Sequence, residues 1–184
     1  MFLRKTKARE PLPLTMIGVR MGERLLQVGL DDPALSGALA SKIGLSGTIA
    51  IAVANDEDAA RASAAASKAG ALVDVTKTAL ESLPYPDASF DVIVLHALRA
   101  PIGGPAPGVS SQALLQCLRV LRPGGRIVVL TPGPKTGFGA LLRPAPPAAA
   151  DTAAAATALT AAGFRPVRVV GELEGLRFTE GLKA

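Results

Sequence analysis

Few side chains in this sequence could carry out acid–base, nucleophilic or metal chemistry. His96 is the one histidine, and histidine titrates near neutral pH without any shift of its pKa. It ends an apolar run, where it could act as a general base, although a structural histidine is the more frequent case there. Cys117, the one cysteine, lies among leucines at helical spacing, which favours a buried thiol over a nucleophile. One histidine and one cysteine cannot form a zinc site or a histidine cluster, so the sequence predicts no metal site.

Asp31 and Asp32 are adjacent acids that follow the first apolar run of the domain. Asp32 precedes Pro33, and such a pair is typical of the N-cap and the first residue of a helix. A second interpretation is that the two carboxylates bind a positively charged amino group of a ligand. The Asp–Pro pair favours the first interpretation, in which Asp31 is a turn residue and Asp32 is an N-cap.

Apolar runs alternate with helical segments along the chain, and the fold that they form must position His96, Asp31 and Asp32. The predicted strands cover residues 24–30, 48–54, 71–76, 90–96, 126–131, 166–171 and 177–182. The predicted helices cover residues 14–19, 34–43, 57–69, 111–121 and 152–162. Strands that are apolar throughout predict an α/β fold with a mostly parallel sheet covered on both faces. A short turn separates the last two strands, so at least one of them runs antiparallel.

The positive charge of the chain lies largely in its first ten residues. Four basic residues and one acidic residue there contribute +3 to the formal net charge of +5. A nucleic-acid-binding chain would carry clustered Lys and Arg, and aromatic side chains for single strands. Neither feature is present, so the sequence predicts no nucleic-acid partner. Without a long apolar window or a signal-peptide segment, we expect no membrane span and a cytoplasmic location.

The predicted organisation is an N-terminal arm of residues 1–21 and a single domain of residues 22–184. The seven strands and their helices take up almost the whole domain, which leaves few residues for recognising a substrate. A substrate pocket would come from the arm, from the Pro/Gly-rich loops at residues 99–109 and 132–148, or from a second subunit of a homo-oligomer.

Three short motifs point to a family. Residues 83–91 read LPYPDASFD before the fourth strand, residues 118–126 read LRVLRPGGR before the fifth, and residues 162–164 read AGF before the sixth. In this order they resemble the class I S-adenosylmethionine-dependent methyltransferases, in the methyltransferase type 11, ubiquinone/menaquinone-type branch. The resemblance implies a Rossmann-like three-layer sandwich with a seven-stranded, mostly parallel sheet and a C-terminal antiparallel hairpin. It also implies methyl transfer from S-adenosylmethionine to a small-molecule acceptor.

The positions that bind the cofactor in that family hold other residues here. Where the family has an acid and a glycine-rich turn after the first strand, this chain has Gln27, Gly29, Asp31 and Pro33. The family's acid at the end of the second strand aligns with Val53, and its acid after the third strand aligns with Ala79. The resemblance places cofactor binding at Gln27, Gly29, Asp31, Asp32, Val53, Ala54, Asn55, Thr78, Ala79 and Leu80, with His96 as the candidate catalytic residue.

These departures leave more than one function open. The first hypothesis is an active methyltransferase with a small-molecule substrate. The second is a catalytically inactive, methyltransferase-like module that binds a protein partner or serves as a subunit, and has lost the usual cofactor binding. A third is that the same crevice binds a different ligand, such as another nucleotide or a hydrophobic metabolite.

Overall fold

The computed structural model describes residues 12–99, 109–133 and 148–184. The first eleven residues and most of both predicted loops lie outside the described residues. Seven strands form one sheet: β1 Arg24–Val28, β2 Thr48–Val53, β3 Asp74–Lys77, β4 Phe90–His96, β5 Leu121–Pro132, β6 Val167–Leu173 and β7 Leu176–Leu182. Five helices within these described ranges accompany them: α1 Leu12–Ile17, α2 Pro33–Ile43, α3 Asp56–Ala69, α4 Ser111–Val120 and α5 Ala148–Ala161.

The strand order in the sheet is β3-β2-β1-β4-β5-β7-β6. Strands β1 to β5 run parallel to one another, and β7 is antiparallel to both β5 and β6. The predicted mostly parallel, seven-stranded sheet with a C-terminal antiparallel hairpin is therefore confirmed. The order of the strands reverses between β1 and β4, which is where open α/β sheets bind ligands.

The core has two halves because successive side chains of a buried strand point to opposite faces of the sheet. Leu26 and Val28 of β1 pack with Cys117 of α4 and Leu159 of α5, on what we call the α4–α5 face. On the opposite α1–α3 face, the core includes Leu25, Leu35, Leu39, Ala62 and Ile17. Helix α1 thus contributes to the core, although it lies in the segment predicted as an arm. Cys117 is fully buried, in agreement with the predicted buried thiol, and burial raises the pKa of this thiol to about 12.

Several predicted strand boundaries are wrong. Strand β3 begins at Asp74, not at residue 71, and β6 ends at Leu173, not at residue 171. Strand β1 ends at Val28, not at residue 30, because Gly29 adopts a φ of 78° that no extended strand continues through. Strand β5 begins at Leu121, not at residue 126, so the Pro-Gly-Gly segment lies inside the strand. The pairing of β4 with β5 shifts register between Phe90 and Val92, which accommodates that segment as a bulge.

Two clusters of charged side chains, one centred on Arg119 and one on Asp91, fix the elements that flank the Pro-Gly-Gly segment. Arg119 of α4 donates to the carbonyl oxygens of Leu83 at 2.9 Å and Tyr85 at 2.8 Å, and to Asp87 at 2.6 Å. These bonds tie the connection before β4 to α4.

No helix in the described part of the chain combines the length and apolar character that a membrane crossing requires.

Asp91 of β4 is the centre of the second cluster. It accepts hydrogen bonds from the backbone and side chain of Arg24, at 2.7 and 3.2 Å, and from Arg122 at 2.5 Å. Burial alone would raise the pKa of Asp91, but these hydrogen bonds outweigh burial and lower the pKa to about 2. Asp91 therefore joins β1, β4 and β5 at the amino ends of the strands.

Candidate functional site

The candidate site residues lie along one edge of the sheet, where the parallel strands β1 to β4 end. Residues 27–32 lie at the end of β1, residues 53–55 at the end of β2, residues 78–80 after β3, and His96 at the end of β4. Because the carboxyl ends of parallel strands meet at the same edge, the fold brings these four segments together. We call this edge, together with the end of β5 and the start of β7 beside it, the carboxyl edge.

Gly29 begins the turn after β1 and packs against the end of β4. Its N–H donates to the carbonyl oxygen of Ala52 on β2 at 2.9 Å. Its φ is 78°, and a Cβ added there would lie 3.3 Å from the His96 carbonyl oxygen and 3.4 Å from the His96 Cβ. Glycine is therefore required both by the backbone conformation and by the close approach of the two strand ends.

Asp31 connects this turn to the residues that follow β4. Its carboxylate accepts a hydrogen bond from the backbone N–H of Leu98 at 3.0 Å and lies 3.4 Å from Arg99 Nε. Its own backbone N–H donates to His96 Nδ1 at 3.3 Å. The Asp31 side chain is only 10% exposed, so its negative charge is held at the point where the strand order reverses.

His96 is buried and uncharged at neutral pH. Burial lowers the pKa of the imidazole to about 4, although the nearby carboxylates of Asp31 and Asp32 act in the opposite direction. Nδ1 accepts the Asp31 N–H, so Nε2 carries the ring proton, and Nε2 has no hydrogen-bond partner among the described residues. The role of His96 as a general base stays a prediction.

Two of the candidate residues are helix caps. The carboxylate of Asp32 accepts the N–H of Ala34 at 2.8 Å and caps α2, with Pro33 as the first helical residue. The amide oxygen of Asn55 accepts the N–H of Asp58 at 2.8 Å and caps α3. The N-cap interpretation of Asp32 matches this geometry.

The remaining candidates offer mainly backbone groups to a ligand. Val53 is fully buried, and its carbonyl oxygen accepts the N–H of Thr78 at 2.9 Å, which joins the ends of β2 and β3. The hydroxyl of Thr78 donates to the carbonyl oxygen of Ser82 at 3.0 Å. Ala54 and Ala79 are exposed and carry no polar side-chain atom, while Leu80 packs on the α4–α5 core.

Buried polar atoms without a partner concentrate at the carboxyl edge. Among the described residues, six buried side-chain nitrogen or oxygen atoms have no hydrogen-bond partner, and five of them belong to residues at or beside this edge. Such an atom costs about 1–3 kcal/mol in a folded protein unless a ligand or a water satisfies it. The five atoms are Gln27 Oε1, His96 Nε2, Thr131 Oγ1, Arg177 Nη1 and Thr179 Oγ1.

Three of these residues do not figure among the sites expected from the sequence. Thr131, Arg177 and Thr179 lie on β5 and β7, beyond the segments that the family's cofactor motifs mark. The signal that could have found them is a polar residue at alternate positions of otherwise apolar strands, such as Arg177 and Thr179 on either side of Phe178.

Comparison with known families now bears on this edge. A family model described as "Methyltransferase domain" matches residues 33–129, which is more than half of the chain. The chain belongs to this methyltransferase family. The resemblance expected from the three motifs is thereby confirmed, and the matched region contains α2 to β4 and most of β5.

Curated relatives of this methyltransferase include two ubiquinone/menaquinone biosynthesis C-methyltransferases named UbiE. The protein from Ectopseudomonas mendocina (strain ymp) is 31% identical over 119 residues, which are 64% of this chain and 44% of the relative. The protein from Hydrogenovibrio crunogenus is 29% identical over 120 residues, which are 64% of this chain and 45% of the relative. The chain thus spans less than half of the length of these relatives.

Solved structures agree with the methyltransferase fold. A SAM-dependent methyltransferase from Aquifex aeolicus superposes with a TM-score of 0.72 at 20% identity, covering 94% of this chain and 88% of that one. A SAM-dependent O-methyltransferase from Thermotoga maritima gives a TM-score of 0.69 at 16% identity, covering 94% and 63%. At these identities the likeness concerns the fold, and the predicted Rossmann-like sandwich is confirmed.

The methyltransferase domain also has a groove away from the carboxyl-edge candidates. It has a volume of about 600 Å³, runs between α2 and α3, and is lined largely by small residues such as Gly37, Ala38 and Ala65. None of the candidate site residues lines it. The described residues also contain no group of three or more His, Cys, Asp or Glu side chains that could hold a metal ion.

Proposed function

We propose that this methyltransferase binds S-adenosylmethionine at the carboxyl edge and transfers its methyl group to a small-molecule acceptor. The observation that carries the proposal is the concentration of unpartnered buried polar atoms at that edge. The amino ends of the same strands are instead fixed by internally paired groups such as Asp91 with Arg24 and Arg122.

Gln27 supports a fit to the amino-acid portion of S-adenosylmethionine. Its Nε2 donates to the carbonyl oxygen of Gly29 at 3.0 Å, which leaves Oε1 as a buried acceptor without a donor. The resemblance places at this position the acid that meets the cofactor's amino group. An ammonium group carries N–H donors, and the unpartnered amide oxygen of Gln27 is an acceptor for one of them.

Asp31 supplies the negative charge that Gln27 does not. Its carboxylate is largely buried, and the Leu98 N–H and the exposed guanidinium of Arg99 hold it at the end of β4. A carboxylate in partly buried surroundings attracts a cation more strongly than one in bulk water. In this proposal Gln27 and Asp31 together bind the amino group, and Gly29 forms the turn between them.

The neutrality of His96 is consistent with a cationic ligand. When bound, S-adenosylmethionine supplies a methyl group on a sulfonium: one S–C bond breaks, one bond to the acceptor forms, and S-adenosylhomocysteine leaves. The low pKa of His96 keeps the imidazole uncharged at neutral pH, so it does not repel that cation. The chain then contributes chiefly by holding the reactants in line and by excluding water.

The acceptor is proposed only at a coarse level. The curated relatives are named as C-methyltransferases of ubiquinone and menaquinone biosynthesis, but the chain spans less than half of their length. We therefore extend to this chain methyl transfer and a small-molecule acceptor, and no particular substrate. The proposal is tested against two alternatives. One is an inactive binding module, and the other is a different ligand in the same crevice.

Calorimetric titration of the full chain with S-adenosylmethionine and S-adenosylhomocysteine tests the proposal. We expect both to bind to the wild type, and Asp31→Asn to weaken binding at least about tenfold because it removes a partly buried charge. Asp32→Asn is the matched control, since it removes the neighbouring charge while asparagine caps a helix as well as aspartate does. The absence of any binding by the wild type at millimolar concentration would contradict the proposal, and equal losses in both variants would remove Asp31 from it.

A further inference from the structure

The described part of the carboxyl edge contains a second group of unpartnered polar atoms, on the opposite face of the sheet from Gln27 and His96. Its members are Thr131, Arg177 and Thr179, which we call the β5–β7 polar cluster. They are 4%, 9% and 0% exposed, and each has a side-chain nitrogen or oxygen without a partner among the described residues.

The pairing of the strands places these three side chains side by side. Thr131 of β5 is directly opposite Arg177 of β7, and Thr179 is two residues further along β7. Their neighbours Leu130 and Phe178 pack in the α1–α3 core, so the three polar side chains point to the α4–α5 face. Directly opposed residues of antiparallel strands have Cβ atoms about 4.5–5.5 Å apart, so the polar ends are within reach of one ligand.

The cluster lies beside the proposed cofactor site. Leu130, the residue before Thr131, pairs with His96 of β4, and its carbonyl oxygen accepts the N–H of Ala97 at 2.9 Å. The cluster therefore begins on β5, the strand that pairs directly with β4. A group bound there would be adjacent to the edge where the methyl group is transferred.

The cluster offers hydrogen-bond donors, among them a guanidinium that is already paired with one carboxylate. Arg177 Nε donates to Glu172 Oε1 at 2.6 Å, and Nη2 pairs with the same carboxylate. The Glu172 side chain is 39% exposed, so it neutralises a largely buried guanidinium from the solvent side. Nη1 then has two unused N–H groups, and each threonine has a hydroxyl that can donate.

We propose that the β5–β7 polar cluster binds a carboxylate of the methyl acceptor. Arginine is suited to this role because its guanidinium matches the geometry of a carboxylate and remains charged when buried. The two threonine hydroxyls donate to the same oxygen atoms, and the acceptor is thereby oriented toward the end of β4. This inference rests on the proposed function, since it concerns the acceptor of the same reaction.

Buried water is the competing explanation for the unpartnered atoms, because internal waters commonly satisfy such groups. A site filled only by water has no preference for an anion over an amide of the same shape. A site built for a carboxylate binds the anion more tightly. Matched pairs of small ligands therefore separate the two explanations.

The experiment uses the full chain saturated with S-adenosylhomocysteine, titrated calorimetrically with acetate, benzoate and hexanoate and with the corresponding amides. We expect at least one carboxylate to bind about tenfold or more tightly than its amide. Arg177→Gln should remove that preference, while Thr131→Val, which keeps the volume and removes one hydroxyl, should weaken carboxylate binding severalfold. Arg168→Gln is the matched control: Arg168 forms a similar cross-strand pair with Glu180 in the same hairpin, but its side chain is 70% exposed.

The outcomes separate this inference from the proposed function. Equal binding of carboxylate and amide in all three pairs would overturn the cluster's role, as would equal effects of Arg177→Gln and Arg168→Gln. If Arg177→Gln fails to fold, Thr131→Val decides the matter, and unchanged carboxylate binding in that variant overturns the inference. S-adenosylhomocysteine binding is measured separately on each protein, and its absence in the wild type counts against the proposed function whether or not carboxylates bind.

Discussion

The surroundings of Arg119 and the carboxyl edge use polar groups in different ways. Arg119 bonds two carbonyl oxygens and the Asp87 carboxylate, all within the protein. At the carboxyl edge, Gln27, His96 and Arg177 each keep a buried polar atom for which the described residues provide no partner. The bonds of Arg119 hold α4 to the connection before β4, where the Tyr85 hydroxyl is the sixth unpartnered atom of the described residues. The carboxyl edge has the other five, which a ligand can satisfy.

This difference matches what the sequence motifs report. The motifs around residues 83–91 and 118–126 contain the groups that fix the scaffold, among them Arg119 and Asp91. The segments where the family binds its cofactor hold other residues here. The Asp31 carboxylate accepts a hydrogen bond from the Leu98 N–H, a contact that the family motif does not indicate. Substitutions in the two regions should therefore act on different measured quantities.

The largest expected effect is a loss of stability on acidification that comes from His96. The folded-state pKa of about 4 lies below the ordinary value of 6.5, so the unfolded chain binds a proton that the folded chain does not. The stabilisation is complete above pH 6.5, declines as the pH falls from 6.5 to 4, and totals roughly 3 kcal/mol. Denaturant unfolding at several pH values measures it. Because the sequence has one histidine, His96→Gln should flatten this part of the profile, and an unchanged decline in the variant would contradict the account.

Arg119→Ala should give the next largest effect, roughly 2 kcal/mol of stability, because it leaves carbonyl oxygens of Leu83 and Tyr85 without their donor. The loss of stability should appear as a lower midpoint of denaturant unfolding. The refolded variant should bind S-adenosylmethionine about as tightly as the wild type. Arg168→Ala is the control, since an exposed ion pair contributes about 1 kcal/mol or less. If the two variants were equally stable, the scaffold role of Arg119 would be wrong.

Gly29→Ala should produce a loss of stability of similar size that links the two regions. Gly29 and Gly70 have similar φ values of 78° and 64°, but a Cβ at Gly70 meets no atom within 4 Å. Gly70→Ala therefore measures the cost of the backbone conformation alone, about 1 kcal/mol. We expect Gly29→Ala to cost roughly a further 1 kcal/mol, because its Cβ contacts the end of β4, and to weaken S-adenosylmethionine binding as well. Identical unfolding curves for the two variants would show that the close approach to His96 has no energetic weight.

Much of the fold follows from local patterns in the sequence. Asp32 and Pro33 predict the start of α2, and the apolar runs predict all seven strands and the antiparallel hairpin. Boundaries were less predictable where tertiary pairing decides them. The early start of β5 at Leu121 depends on the register shift between Phe90 and Val92, which no local pattern in the sequence marks.

The site was less predictable than the fold because its contacts join residues far apart in the chain. Asp31 is separated by 67 residues from Leu98, to which it bonds, and nothing near either residue indicates that contact. The β5–β7 polar cluster depends on the register between two antiparallel strands, which places Thr131 opposite Arg177. Local propensity sets neither the register nor the burial that leaves these polar atoms unpartnered.

The most direct test of the account is an amide NMR titration of the uniformly labelled chain with S-adenosylmethionine. The account predicts shifts at the amides of Gly29, Asp31 and Leu98, with little change near Arg119 or along the groove between α2 and α3. The absence of shifts at millimolar concentration, or shifts confined to that groove, would contradict the claim that the carboxyl edge is the site of methyl transfer.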